Sequence, residues 1–160
     1  VDTCVSLLPL GSPCHDRYVG AAGDEISRRI AATGPRVAAA LAEIRRRSPR
    51  ARVFVVGYPA ILPGGDAGCW PLLPFAFGDV GWLRDKEKEL NSMLATAAAA
   101  GGAVYVDTYG PSRGHSACAL PGDRWVEPVV PMSPADPVHP NARGMEGMAA
   151  AVLAAVRPGG

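Results

Sequence analysis

Asp136 and His139 stand three residues apart in the segment Asp136-Pro137-Val138-His139-Pro140-Asn141, a spacing that lets a carboxylate reach one imidazole nitrogen. The other nitrogen then faces a cleft, where it can take a proton from a nucleophile. A carboxylate so placed fixes the ring tautomer and steadies the imidazolium that forms. Pro137 and Pro140 restrict the backbone on both sides, so the spacing predicts a pre-oriented pair. Asn141 is a good helix N-cap, and Met145, Met148, Ala149, Val152, Leu153 and Val156 recur at helical spacing. The pair is therefore expected in a short loop leading into a buried helix.

The elements that must position this loop can be read upstream of it. Residues 1–23 look like loop, with Gly11-Ser12-Pro13 and two cysteines. A helical pattern starts at Asp24, runs through Ile26 and Ile30, and resumes after Gly34-Pro35 with Val37, Leu41 and Ile44. Pro35 is expected to kink or restart it. After Ser48-Pro49, residues 52–58 read as a continuous apolar strand, the pattern of a parallel strand covered on both faces. A long loop over 59–81 carries Trp70, Phe75 and Phe77, and a helix is predicted over 82–99 with Leu83, Leu90, Met93, Leu94 and Ala97 inward. A second buried strand spans 103–106 and ends at Asp107, and residues 108–140 are irregular. Helix, strand, helix, strand, helix is the rhythm of a doubly wound α/β domain. Two strands are too few for three helices of this size, so further strands are expected outside the chain.

With 160 residues the chain holds one domain with a real core. A formal charge of +1 argues against a polyanion, and the basic cluster Arg45-Arg46-Arg47 with Arg50 and Arg52 is read as complementing a helix C-terminus rather than binding nucleic acid. No apolar run approaches a membrane span. The chain opens on Val1 and its first methionine is Met93, which predicts a processed product or a fragment.

Cys4, Cys14, Cys69 and Cys118 are even in number and contain no Cys-x-x-Cys, so neither a metal site nor a cofactor is expected. Two disulfides in an oxidising compartment account for them better. Of the three possible pairings, Cys4 with Cys14 closes a compact loop and Cys69 with Cys118 pins two long Gly/Pro-rich loops together. On the chain-entropy model these bridges contribute roughly 3 and 4 kcal/mol.

Taken in order, Arg52-Val-Phe-Val-Val-Gly-Tyr-Pro59, Glu87 to Leu94, Val106-Asp107, Gly114-His115-Ser116-Ala117-Cys118 and His139-Pro140-Asn141 with Gly144 resemble the SGNH (GDSL-type) hydrolases. The likeness is greatest to their secreted actinobacterial lipases and esterases, and it covers nearly the whole chain. It implies a three-layer αβα sandwich around a parallel sheet, His139 as general base and Asp136 as its orienting carboxylate. The expected disulfide pattern of those lipases matches the pairing above. The family's nucleophilic serine follows Gly-Asp near the N-terminus, and a Gly and an Asn complete its oxyanion hole. None of the eight serines here follows Gly-Asp, and no Gly-x-Asn-Asp block is present. In the family that block lies shortly before a segment like Val1 to Cys4.

The resemblance therefore implies the C-terminal part, 1–160, of a single hydrolase domain whose N-terminal strands are missing from the chain. Its partners are then the N-terminal segment, as a nicked or second chain, and an ester or lipid substrate. The expected location is secreted, periplasmic or cell-envelope. Trp70, Phe75 and Phe77, with Trp82, are candidates for an acyl-binding wall. Ser12 and Ser116 read as loop serines bonded to local backbone, His115 as a structural histidine, and Asp107 as a turn or capping residue. A competing expectation is an SGNH-like module that binds carbohydrate or lipid without catalysis. A third is a disulfide-stapled domain with no small-molecule function.

Overall fold

The two apolar runs pair side by side in the computed structural model, which describes residues 4–157; Val1 lies outside them. The elements are α1 (Pro13–Tyr18), β1 (Val19–Gly20), β2 (Gly23–Asp24), α2 (Glu25–Arg47), β3 (Phe54–Val56), α3 (Phe77–Ala100), β4 (Val104–Val106), α4 (Tyr109–Ser112) and α5 (Ala142–Val156). β3 and β4 are parallel, with Phe54 opposite Val104, Val55 opposite Tyr105 and Val56 opposite Val106. β1 and β2 form a small antiparallel hairpin, which residues read as loop did not announce. α2 and α3 pack on each other, α3 also covers both long strands, and α5 packs against β4. The result is the expected α/β architecture.

Neither long strand is fully buried as the apolar runs predict: Val56 is 40% exposed and Val104 45%. With two strands in this sheet, the described helices cannot cover every apolar face. The last helix departs the same way, for Met145 and Leu153 on α5 are exposed. The core sits instead around the loops, where Cys14, Leu62, Leu73, Phe75, Val80 and Val126 cluster.

Asp24 starts α2 as expected, its carboxylate accepting from Ser27 N–H at 3.0 Å. Pro35 does not restart the helix, which runs unbroken through it. Packing offsets the lost backbone bond: Gly34 brings the helix close to Met93 of α3, whose side chain a Cβ there would meet at 3.5 Å. α3 begins five residues before the predicted start, because Phe77 N–H and Gly78 N–H donate to the carbonyls of Pro9 and Gly11. Its first turn carries the fully buried Asp79, which accepts from Cys14 N–H and His15 N–H at 3.0 and 2.8 Å and caps α1. The basic cluster is used internally. Arg45 donates to the carbonyls of Gly101 and Gly102 beyond α3, and Arg52 donates to that of Val156 at the end of α5. Both disulfides form as paired above, with Cα atoms 4.8 Å apart for Cys4–Cys14 and 5.4 Å for Cys69–Cys118. No described helix is long and apolar enough to cross a membrane.

Candidate active site

The His139 loop is built on the segment Arg124–Glu127. Val126 and Pro140 form an antiparallel bridge, Glu127 N–H donates to His139 C=O at 2.9 Å, and Asn141 N–H donates to Trp125 C=O at 2.9 Å. Glu127 itself is fully buried. Its carboxylate accepts from Met132 N–H at 2.8 Å, from Asn141 Nδ2 at 2.7 Å and from the Ser133 hydroxyl, with Arg124 4.0 Å away. Burial alone would raise its pKa, but these hydrogen bonds and the Arg124 charge hold it below the usual carboxylate value. Asn141 joins this clamp to α5, since its Oδ1 accepts from Gly144 N–H at 3.1 Å. Sequence reasoning found the Asn141 cap and missed Glu127, whose only signal is an acid between Val126 and Pro128 in an otherwise apolar stretch.

His139 is exposed at the tip of this framework. Its backbone N–H donates to Asp136 C=O at 3.1 Å, and its Nδ1 lies 2.8 Å from the carbonyl oxygen of Pro137. A carbonyl can only accept, so Nδ1 carries the hydrogen and Nε2 is left as the basic nitrogen. The carboxylate of Asp136 is exposed and makes no hydrogen bond or ion pair among the described residues. The contact expected between carboxylate and ring is thus absent here, and a main-chain carbonyl occupies its place. Val138 supplies the reason. At φ 59° it is a β-branched residue in the left-handed region, a costly turn that folds the Pro137 carbonyl back onto the ring.

The loop 57–62 beyond β3 is held by side chains rather than by a further strand. Asn91 brackets Tyr58, accepting from its N–H at 2.8 Å and donating to its C=O at 3.0 Å. Ser112 Oγ accepts from Ala60 N–H at 2.7 Å, and Thr108 Oγ donates to Gly57 C=O at 2.6 Å. Glu87 accepts from Ile61 N–H, with carboxylate oxygens at 3.2 and 3.3 Å. Burial pushes the Glu87 carboxyl up to about 7 against the lowering effect of that single bond. Asp24 goes the other way: burial would raise it, but bonds from Lys86, Ser27 and Trp82 and the Lys86 charge bring it to about 2.

Beneath loop 57–62 lies an apolar cavity of about 430 Å³, lined by Ile26, Ile30, Tyr58, Phe75, Leu90 and Val138 among others, with Glu87 in its wall. Of the three aromatic candidates, Phe75 reaches it. Trp70 and Phe77 do not; Trp70 Nε1 donates to Ser6 C=O at 3.3 Å, and Phe77 opens α3. Trp82 is turned to Asp24 and stacks on Tyr18. The cavity wall ends at Val138, next to His139. Ser116 is buried and bonded to Cys118 N–H, Ser12 faces Asp16, and no serine is hydrogen-bonded to His139 among the described residues. His115 Nδ1 donates to Asp123 C=O at 2.6 Å and the ring stacks on Trp125, and Asp107 caps Gly110 N–H.

An imidazole with one nitrogen fixed by a carbonyl leaves the other basic and able to take a proton from a group placed beside it. Residues 14–146 match the GDSL-like Lipase/Acylhydrolase family, and the chain belongs to that family. It is 46% identical over 140 residues to Lipase 2 of Streptomyces coelicolor, covering 87% of this chain and 46% of that protein. The crystal structure of phospholipase A1 from Streptomyces albidoflavus NA297 superposes with a TM-score of 0.69 at 26% identity, over 82% of this chain and 54% of that one. That of an extracellular lipase from Streptomyces rimosus gives 0.64 at 24% identity, over 82% and 57%, and shares the fold. The chain thus spans about half the length of the relatives it matches.

Proposed function

We propose that these residues form the C-terminal part, 1–160, of one ester hydrolase domain acting on carboxylic or acyl-lipid esters. His139 is its general base. In this reading a serine from an upstream segment, on the same or a nicked chain, gives its proton to Nε2 and attacks the ester carbonyl. The imidazolium then protonates the departing alcohol, and water, activated by the same nitrogen, releases the acid. Oxyanion donors also come from upstream. The supporting observation is the bond from Nδ1 to Pro137 C=O, which leaves Nε2 basic and outward. Asp136 serves through its main-chain carbonyl, and its carboxylate adds the attraction of a nearby negative charge for the imidazolium. Two disulfides favour secretion or an envelope location.

The test is hydrolysis of a short-chain chromogenic ester by the natural polypeptide that carries these residues, beside His139→Gln. Loss of turnover by about a thousandfold or more in the variant is expected. A His139→Gln protein that cleaves as well as wild type ends the assignment, and a polypeptide without esterase activity favours a binding module.

A further inference from the structure

The mechanism leaves Glu87 unused, although it is the one carboxyl in the wall of the apolar cavity. As a hydrogen-bond acceptor for Ile61 N–H it is replaceable, for the same loop is held at Tyr58 by an amide and at Ala60 by a hydroxyl. A carboxyl brings something those groups lack, a charge that depends on a proton. Among the described residues its one hydrogen-bond partner is that N–H, and apart from Lys86 the space beside it is lined by apolar side chains from three directions and by Tyr58. Ile26 and Ile30 come from α2, Leu83 and Leu90 from α3, and Phe75 and Val138 from the loops.

We propose that this cavity holds the aliphatic chain of an uncharged ester, and that Glu87 is the residue that makes its occupancy depend on a proton. The ester rests on the hydrolase reading; the aliphatic chain rests on the lining alone. A cavity of this size and apolar character suits such a chain, and Val138 places its rim one residue from His139. An occupant displaces the water that still reaches the carboxyl, which raises the cost of ionising it. Binding and protonation of Glu87 therefore favour one another, and ionisation expels the chain. A carboxyl near neutrality when the cavity is empty puts this exchange in a working range.

The other charged groups around Glu87 are engaged or distant. On α3, Lys86 is paired with Asp24 and Glu89, Arg84 with Asp66, and Lys88 with Asp85. Tyr109 of α4 feels the Glu87 charge, together with those of Arg84, Asp85 and Arg113, and its own burial holds its hydroxyl above the ordinary value. Tyr58 lines the cavity from the loop, and Asp107 is tied to Gly110. Lys86 and Tyr58 share the cavity wall with Glu87, but Lys86 is held in its pairs with Asp24 and Glu89, and Glu87 is the one carboxyl among the described lining residues.

The test uses the natural polypeptide and the neutral dye N-phenyl-1-naphthylamine, displaced by dodecan-1-ol, with no ester cleaved. If occupancy makes Glu87 ten times harder to ionise, dye affinity falls about tenfold between about pH 6 and about pH 9. In Glu87→Gln the affinity is the same at both ends, which also separates Glu87 from His139 as the titrating group. Ile30→Trp, checked for native circular dichroism, removes binding at both. Dye binding that is flat with pH in wild type, or still pH-dependent in Glu87→Gln, overturns the role of Glu87. Absence of binding at any pH, in a protein that retains esterase activity, means that upstream residues fill the cavity and overturns the acyl site while leaving the hydrolase reading intact.

Discussion

Nδ1 of His139 stands 2.8 Å from the carbonyl oxygen of Pro137, two residues earlier in the chain. This contact does the orienting work that the sequence assigns to Asp136. A neutral Asn at 136 keeps the main-chain carbonyl that accepts from His139 N–H and removes only the exposed charge. Asp136→Asn is therefore expected to keep kcat/KM within about tenfold of wild type. Where a carboxylate itself holds the ring, the same change costs on the order of ten-thousandfold. A loss of that size in steady-state ester hydrolysis would return the orienting role to the carboxylate.

Glu127 carries a second prediction because its partners are all parts of the His139 loop. Truncation to Ala leaves Asn141 Nδ2, Ser133 Oγ and Met132 N–H short of an acceptor, and the buried Arg124 guanidinium short of its anion. Removing one side of a buried, hydrogen-bonded ion pair costs about 3 kcal/mol or more. Glu127→Ala should lower the urea midpoint accordingly and weaken turnover even under conditions where the protein stays folded. An unchanged midpoint would mean that water replaces the carboxylate at no cost.

What the sequence made legible were features encoded locally. The Asp24 and Asn141 caps and the Cys4–Cys14 pair depend on residue type and short spacing, while the apolar runs and the Cys69–Cys118 pair, 49 residues apart, were legible from residue type and loop composition, and all stand where expected. Pro35 does not interrupt α2: a proline rule by itself knows nothing of Gly34 seated on Met93. The orientation of His139 depends on the φ of Val138, a residue whose type argues against that conformation. Glu87 was legible in principle: it shares the helical face of Leu83 and Leu90, four and three residues away, where an acid is out of place.

The buried carboxyls also set how stability varies with pH. Glu87 has its folded value raised, so its contribution is fully present below its unfolded value near 4.5 and is lost as pH rises through about 7. The loss is at most about 3.5 kcal/mol, given roughly 1.4 kcal/mol for each tenfold change. Asp24 and Glu127 are depressed, so their contributions are present above the ordinary carboxylate range and lost on acidification, for Asp24 down to about 2. Stability should peak in mildly acid solution. Urea titrations across pH should show Glu87→Gln flat between about pH 5 and pH 8 while wild type declines; parallel curves would remove Glu87 as the cause.

Gly144 tests the seat of α5. A Cβ there would collide with the carbonyl oxygen of Trp125, the same oxygen that accepts from Asn141 N–H. Gly144→Ala must push the start of α5 away from the segment that positions His139. Overpacking of this kind costs about 1–3 kcal/mol, and the displacement should lower kcat more than it raises KM. A thermal midpoint and kcat equal to wild type would show that the helix start shifts without effect.

The apolar surface that the described residues leave open makes the last prediction. Val56 and Tyr58 at and beyond β3, Val104 on β4, and Met145 and Leu153 on α5 are all exposed. β3 and β4 each have one strand neighbour in the described sheet, leaving two edges free to pair. A sheet of two short strands is marginal by itself, and exposed apolar faces of this extent favour association over a unique fold. Residues 1–160 produced alone should therefore unfold in urea over a broad, shallow range and bind hydrophobic dyes, whereas the natural polypeptide should show one steep transition. Adding the upstream segment as a separate chain should restore the steep transition together with ester hydrolysis. A sharp two-state transition for residues 1–160 in isolation would show that α2, α3 and the two disulfides suffice, and the exposed faces would then need another occupant.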